Sequence, residues 1–173
     1  MIRKAKEKDI DAVVEIYSKI FEKEAKAGTT TGWKPEVYPT ENTARESFLK
    51  DELFVMETEG KIIAAARLNH EQEDDYVRGN WQLEAPKEKI LVMHTLVVDP
   101  EASGRGYATQ FVADYEAYAR EKGCLSLRMD TNAINKPARS LYKKLGFSEV
   151  GIIDCTFNGL EDIRLVCLEK VLN

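Results

Sequence analysis

The chain has 173 residues, 43 % hydrophobic and 32 % charged, with a formal net charge of −5. That length and composition favour one globular domain over residues 1–173 with a core of its own. The acidic balance argues against a nucleic-acid partner held by a basic face, and no apolar run approaches a membrane span. The start, "MIRKAKEKDIDAVVEIY", is charged and then amphipathic, without the apolar core of a signal peptide. Cys124, Cys155 and Cys167 form no C-x-x-C pair, and the chain has only two histidines, so there is no zinc pattern. The expectation is a cytoplasmic protein with reduced thiols and no metal.

In chain order, Ile2 to Ala5 reads as a first or edge strand. From Asp9, apolar residues fall at Ile10, Val13, Val14, Tyr17, Ile20 and Phe21, the spacing of one helix face, with Asp9 as the N-cap. "AGTTTGWKPEVYPT" breaks that helix, and a second helix is predicted over Glu41 to Lys50. "LFVMETEGKIIAAARLN" predicts two strands around a turn at Glu59-Gly60. "HEQEDDYVRGNWQLEAPKEK" is acidic and aperiodic and reads as a long loop. "ILVMHTLVV" is a near-continuous apolar strand of the kind buried on both faces. A helix is predicted from Arg105 to Lys122, ended by Gly123. "LSLRMDT" is the next strand. In "NKPARSLYKKLGF", Pro137 suits a first helical turn and Gly146 stops the helix. Asn158-Gly159 between two β-rich runs signals a terminal hairpin. The order β-α-α-β-β-β-α-β-α-β-β predicts a mixed α/β (α+β) protein rather than a pure doubly wound one.

The turn after the apolar strand, "EASGRGYAT", holds two glycines at a helix start. Backbone N–H groups at a helix N-terminus and the helix dipole together favour a phosphate. Gly104 and Gly106 allow the chain to curl and a ligand to approach, and Arg105 adds charge. A tight strand-to-helix connection with no ligand is the competing reading. The turn is neither a P-loop nor G-x-G-x-x-G, because Thr109 stands at the third glycine position.

A second pattern follows: Asn135, Ala138, Tyr142 and Gly146-Phe147. Together with Ser103-Gly104-Arg105-Gly106-Tyr107-Ala108, it resembles the GNAT superfamily of acyl-CoA-dependent N-acetyltransferases. That family's loop reads [QR]-x-x-G-x-[GA], and its later helix reads N-x-x-A-x-x-x-Y before G-F. Ser103 departs from the usual Gln or Arg at the first loop position. The resemblance spans essentially the whole chain, and it implies a central, mixed, twisted sheet of six to seven strands with helices on both faces.

The resemblance also implies a site. Acetyl-CoA would lie between "ILVMHTLVV" and "LSLRMDT", its pantetheine arm paired with Leu96, Val97 and Val98 and its pyrophosphate on Ser103, Gly104, Arg105, Gly106, Tyr107, Ala108 and Thr109. A backbone N–H near Val97 would polarise the thioester carbonyl. Asn135 would hold the cofactor or, alternatively, cap its helix. Tyr142 would protonate the leaving thiolate, the alternative being a core aromatic. His94, two residues before Leu96, is the candidate base for the acceptor amine, against a purely structural hydrogen-bonded histidine. Trp33, Tyr38, Tyr76 and Trp81 are candidates to line the acceptor pocket, with Glu71, Glu73, Asp74 or Asp75 attracting an ammonium. A solvated acidic loop with locally packed aromatics is the other reading of that segment. The expected acceptor is a small-molecule primary amine. A protein or peptide amine, a non-catalytic acyl-CoA sensor and an unrelated nucleotide-binding module are the alternatives. The family further suggests a homodimer.

Overall fold

The elements follow from local rules and appear in the predicted order. The computed structural model describes residues 1–172. They are β1 (Ile2–Lys4), α1 (Ile10–Ala27), α2 (Glu41–Leu49), β2 (Leu53–Thr58), β3 (Lys61–Asn69), β4 (Ile90–Val98), α3 (Tyr107–Glu121), β5 (Ser126–Asn132), α4 (Lys136–Lys144), β6 (Ser148–Phe157) and β7 (Leu160–Val171). The strands form a seven-stranded, mostly antiparallel sheet in the order β1-β2-β3-β4-β5-β7-β6.

The chain packs as two compact units. The first comprises Met1–Thr29, Trp33–Leu68 and His94–Tyr115. Its core gathers Ile10, Val13, Ile16 and Tyr17 of α1, Ala44 of α2, Leu53 and Val55 of β2, Ala65 of β3 and Val97 of β4. The i, i+3, i+4 spacing of the α1 residues puts them on one stripe, which is why that helix forms and which way it faces. β2 and β3 pair antiparallel through a turn in which Glu59 and Gly60 are both left-handed, at φ 52° and 77°. That geometry suits the tight twist of a two-residue hairpin.

Asp9 departs from its expected role. Its side chain does not cap α1. It accepts from the Lys6 N–H at 2.8 Å and from Arg3 Nη1 at 2.6 Å, closing the 3-10 turn Glu7–Asp9 that precedes the helix. A carboxylate three residues after a free N–H satisfies that donor first.

The second unit comprises Thr30–Gly32, Asn69–Met93 and the chain from Glu116 onward. The first half of β4 pairs parallel with β5, from Ile90 opposite Ser126 to Met93 opposite Met129. β7 lies antiparallel between β5 and β6. Asn158 and Gly159, at φ 49° and 80°, make the β6–β7 turn that the sequence predicts. The core here is Tyr76, Ile90, Val92, Val150, Ile153 and Cys167. The expected loop after β3 contains two 3-10 turns, Asp74–Arg78 and Lys87–Lys89. One buried tyrosine ties it down: Tyr76 is 2 % exposed.

Candidate functional site

In the first unit, β4 ends at Val98, and Asp99 Oδ1 accepts from the Glu101 N–H at 2.9 Å to cap the turn Pro100–Ala102. The chain then passes through Gly104 and Gly106, both left-handed at φ 78° and 81°. A Cβ at either position would stand in open space, so the glycines answer a backbone need rather than a packing one. The positive φ at Gly106 also starts α3 at Tyr107, two residues later than the periodicity suggests. Ser103, Gly104, Arg105, Gly106 and Thr109 are exposed, and Tyr107 and Ala108 half-buried. The first turn of α3 carries no acidic residue, leaving its N–H groups and dipole unopposed.

Just upstream, Val97 is buried, while Leu96 and Val98 are half-buried. His94 is buried as well. Between them Thr95 is left-handed, at φ 54°. That conformation is a genuine outlier for a β-branched residue, and such outliers cluster at functional sites. The Thr95 hydroxyl is hydrogen-bonded to the Tyr38 hydroxyl. Trp33 meets Tyr38 edge to face, with ring centroids 6.0 Å apart. Two of the four predicted acceptor-lining aromatics are thus brought together beside β4.

In the second unit, Asn135 caps α4: its Oδ1 accepts from the Ala138 N–H at 3.2 Å, which leaves the carboxamide N–H groups to other partners. Tyr142 is 7 % exposed and packs edge-on against Phe147 at 6.0 Å. Its hydroxyl makes no hydrogen bond among the described residues. Burial first, and then the charge of Asp130, raise the Tyr142 pKa well above that of an ordinary phenol. The phenol therefore keeps its proton at neutral pH, and its hydroxyl is not sealed from solvent: among the described residues the one buried side-chain polar atom without a partner is Asp114 Oδ2.

Tyr76 and Trp81 pack on each other in this unit, with centroids 5.0 Å apart. The Tyr76 hydroxyl donates to Asp130 Oδ2 at 2.7 Å, and Trp81 Nε1 donates to the Tyr76 carbonyl at 2.6 Å. Of the acidic residues in this loop, Asp75 pairs with Arg78 at 2.5 Å, and Glu71 and Asp74 are exposed.

Asp130 and Thr95 escaped the sequence reading. Asp130 had a legible signal: Ser126, Arg128 and Asp130 alternate with Leu127 and Met129, so one face of β5 is polar. Thr95 had none, because a left-handed strand residue is visible only in three dimensions.

The cysteines offer no nucleophile. Burial pushes the Cys155 thiol up to about 11 and Cys167 up to about 12, so both stay protonated at neutral pH. Among the described residues, no group of three or more His, Cys, Asp or Glu is placed to hold a metal, and no helix is long and apolar enough to cross a membrane.

The described elements form a mixed α/β fold, and comparison with known proteins gives its family: residues 10–147 match the acetyltransferase (GNAT) family, and the chain belongs to it. An uncharacterized N-acetyltransferase of Methanocaldococcus jannaschii is 26 % identical over 158 residues. That alignment takes in 88 % of this chain and 62 % of the relative, so the chain spans less than two thirds of that relative's length. A GNAT-family acetyltransferase structure from Streptococcus agalactiae superposes with a TM-score of 0.83 at 22 % identity, covering 100 % of this chain and 95 % of that one. An acetyltransferase from Salmonella typhimurium, solved with its cofactor acetyl-CoA, gives 0.69 at 18 % identity, covering 100 % and 94 %. At these identities the two structures speak for the fold.

Proposed function

We propose that the protein is an acetyl-CoA-dependent N-acetyltransferase that passes the acetyl group directly to the primary amine of a small molecule. The observation that carries this reading is Tyr142, a largely buried residue whose phenol stays protonated and makes no hydrogen bond among the described residues, on the motif position that protonates CoA in the family. The exposed turn Ser103–Thr109 at the start of α3 supports pyrophosphate binding there, with Arg105 adding charge. Leu96, Val97 and Val98 take the pantetheine arm, and the Val97 N–H polarises the thioester carbonyl. Asn135 contributes its free carboxamide N–H groups to the cofactor.

An alkyl amine has a pKa near lysine's ~10.4 and arrives protonated, so His94 takes its proton. The neutral amine attacks the carbonyl carbon, the C–N bond forms and the carbonyl becomes an oxyanion. Collapse breaks the C–S bond: the sulfur leaves with the bonding electron pair and takes a proton from Tyr142, while the cationic nitrogen of the intermediate gives up its second proton, which returns the Tyr142 phenolate to the phenol. With the thiols of Cys155 and Cys167 protonated, no acetyl-cysteine step is called for. The acidic residues Glu71 and Asp74 and the net charge of −5 support an amine acceptor over nucleic acid.

The test combines binding and turnover. Acetyl-CoA at 100 times its dissociation constant should stabilise the protein by about 2.7 kcal/mol, while ATP should not. Tyr142→Phe should keep that stabilisation and lose about 10²- to 10³-fold in turnover, the scale of general acid catalysis. Stabilisation without turnover on any amine would point to an acyl-CoA sensor, and near-wild-type turnover in Tyr142→Phe would remove the tyrosine from the mechanism.

A further inference from the structure

The second unit carries a cavity of about 590 Å³ that the acetyl-transfer reading leaves unused. Lys136, Arg139, Ser140 and Lys143 of α4 line it, with Phe147 and Ser148 at the passage into β6. Phe147 is 3 % exposed, while Lys136, Ser140, Lys143 and Ser148 are exposed, so the ring is the floor and the polar groups are the rim. Side chains advance by about 100° per residue along a helix, so Lys136, Ser140 and Lys143 form a stripe about 150° round α4 from Ala138 and Tyr142. The cavity therefore opens on a different face of α4 from the one that carries the family motif.

The rim suits an anion. Arg139 is already committed: its Nε and Nη2 donate to the two Glu149 carboxylate oxygens at 2.7 and 2.9 Å, and its Nη1 to the Ala133 carbonyl at 2.9 Å. Lys136 and Lys143 make no hydrogen bond or ion pair among the described residues, and neither do the hydroxyls of Ser140 and Ser148. Glu149, which also lines the cavity, is held below the usual carboxylate range chiefly by hydrogen bonding to Arg139 and in smaller part by the charge of Lys143. Three cations and one carboxylate leave this lining two positive charges in excess, on a chain whose net charge is −5.

We propose that this cavity binds a phosphomonoester carried on an aromatic body: the phosphate sits between the Lys136 and Lys143 ammonium groups and accepts from the Ser140 and Ser148 hydroxyls, and the body rests on Phe147. The inference goes beyond the acetyl-transfer reading and does not depend on it. A phosphomonoester is close to doubly charged at neutral pH, its second pKa being about 6, and so matches the excess of two. A carboxylate brings half that charge. Lysines hold phosphate as point charges on flexible stems, so the two need no fixed fork to converge on it. Glu149 repels the same anion, but the bidentate Arg139 pair offsets that charge. The phenyl floor rewards an aromatic body by offset or edge contact, which inorganic phosphate forgoes.

The experiment is a calorimetric titration of phenyl phosphate into protein saturated with acetyl-CoA, at about 50 mM salt, where exposed charges are weakly screened. One molecule should bind per chain, roughly tenfold more tightly than inorganic phosphate, which lacks the ring, or benzoate, which has half the charge. Lys136→Gln/Lys143→Gln should weaken phenyl phosphate by about tenfold, as should raising the salt to about 500 mM. The melting temperature and the acetyl-CoA-induced melting shift should stay as in wild type, because both lysines are exposed and unpaired. Equal binding by wild type and the double variant would overturn the proposal, and so would inorganic phosphate or benzoate binding as tightly as phenyl phosphate. A double variant that loses affinity for acetyl-CoA but not for 3′-dephospho-acetyl-CoA would also overturn it, since the rim would then serve the cofactor's own phosphate.

Discussion

At the scale of single residues, Asp130 shows how one charge is used more than once. It receives the Tyr76 hydroxyl at 2.7 Å, and its field helps to keep Tyr142 protonated. The same field raises Cys155 and Cys167 after burial has done most of it. A carboxylate disfavours any new negative charge nearby, so each of these groups holds its proton more tightly. Asp130→Asn keeps an oxygen for the Tyr76 hydroxyl and removes the charge alone. If Tyr142 donates its proton as proposed, the alkaline limb of the pH–rate profile should then move to lower pH. A limb unmoved in the folded variant would show that the Asp130 charge does not govern Tyr142. The two glycines of the turn belong to the same scale: each supplies a φ that an L side chain resists, at Gly104 and Gly106 alike.

At the scale of elements, the polar face of β5 does structural work. Arg128 and Glu169 face each other in the β5–β7 register and are 5 % and 1 % exposed. Arg128 Nε reaches Glu169 Oε1 at 3.2 Å, Nη1 donates to Gln72 Oε1 at 2.5 Å, and Nη2 donates to the Leu83 carbonyl at 2.6 Å. Its guanidinium lies 4.1 Å from the centroid of the Trp81 ring. Glu169 also accepts from the Ser126 hydroxyl at 2.8 Å and from the Gln82 N–H at 2.5 Å. Two neighbouring strands thereby hold the segment from Gln72 to Leu83, which has little regular structure of its own. Arg128→Met would leave the Glu169 carboxylate buried without its counter-charge, and should cost about 3–5 kcal/mol by denaturant unfolding. Replacing both partners by apolar residues should cost less than that single change. If the single variant proves the milder of the two, the brace is not what holds the segment.

For the molecule as a whole, the ion pairs set an acid limit. Burial pushes the Asp9 carboxyl upward, but Arg3 and the Lys6 N–H outweigh it and leave its pKa below the usual carboxylate value. Glu116 behaves in the same way, with Lys170 and Arg120 overcoming burial. Arg139 holds Glu149 down chiefly by hydrogen bonding. A carboxylate whose pKa is lower in the folded state contributes stability above its unfolded pKa of about 4, and that stability is lost as pH falls through the folded value. Melting temperature should therefore be flat from neutral pH down to about pH 5 and fall steeply below about pH 4. Arg139→Gln should show a smaller acid-side drop than wild type, because the chief cause that lowers Glu149 in the folded state would be gone. An equal drop in the two proteins would place the acid sensitivity elsewhere.

The sequence alone determined the order of the eleven elements, the two hairpin turns, the glycine turn that opens α3, and the Asn135–Tyr142 pattern on α4. All of these are local: apolar periodicity, glycine at positive φ and side-chain caps act over a few residues and leave their mark in the order of residue types. Tertiary structure decided the rest. It sent the Asp9 carboxylate to Lys6 and Arg3 rather than to α1, buried Tyr76 against Asp130, joined Arg128 to Glu169 across 41 positions of chain, and set Tyr38 on a left-handed Thr95 57 positions away. Such pairs form only when strand register and helix packing bring distant residues together. The cost or gain of each hydroxyl and charge depends on how deeply that packing buries it, a quantity no short stretch of sequence contains.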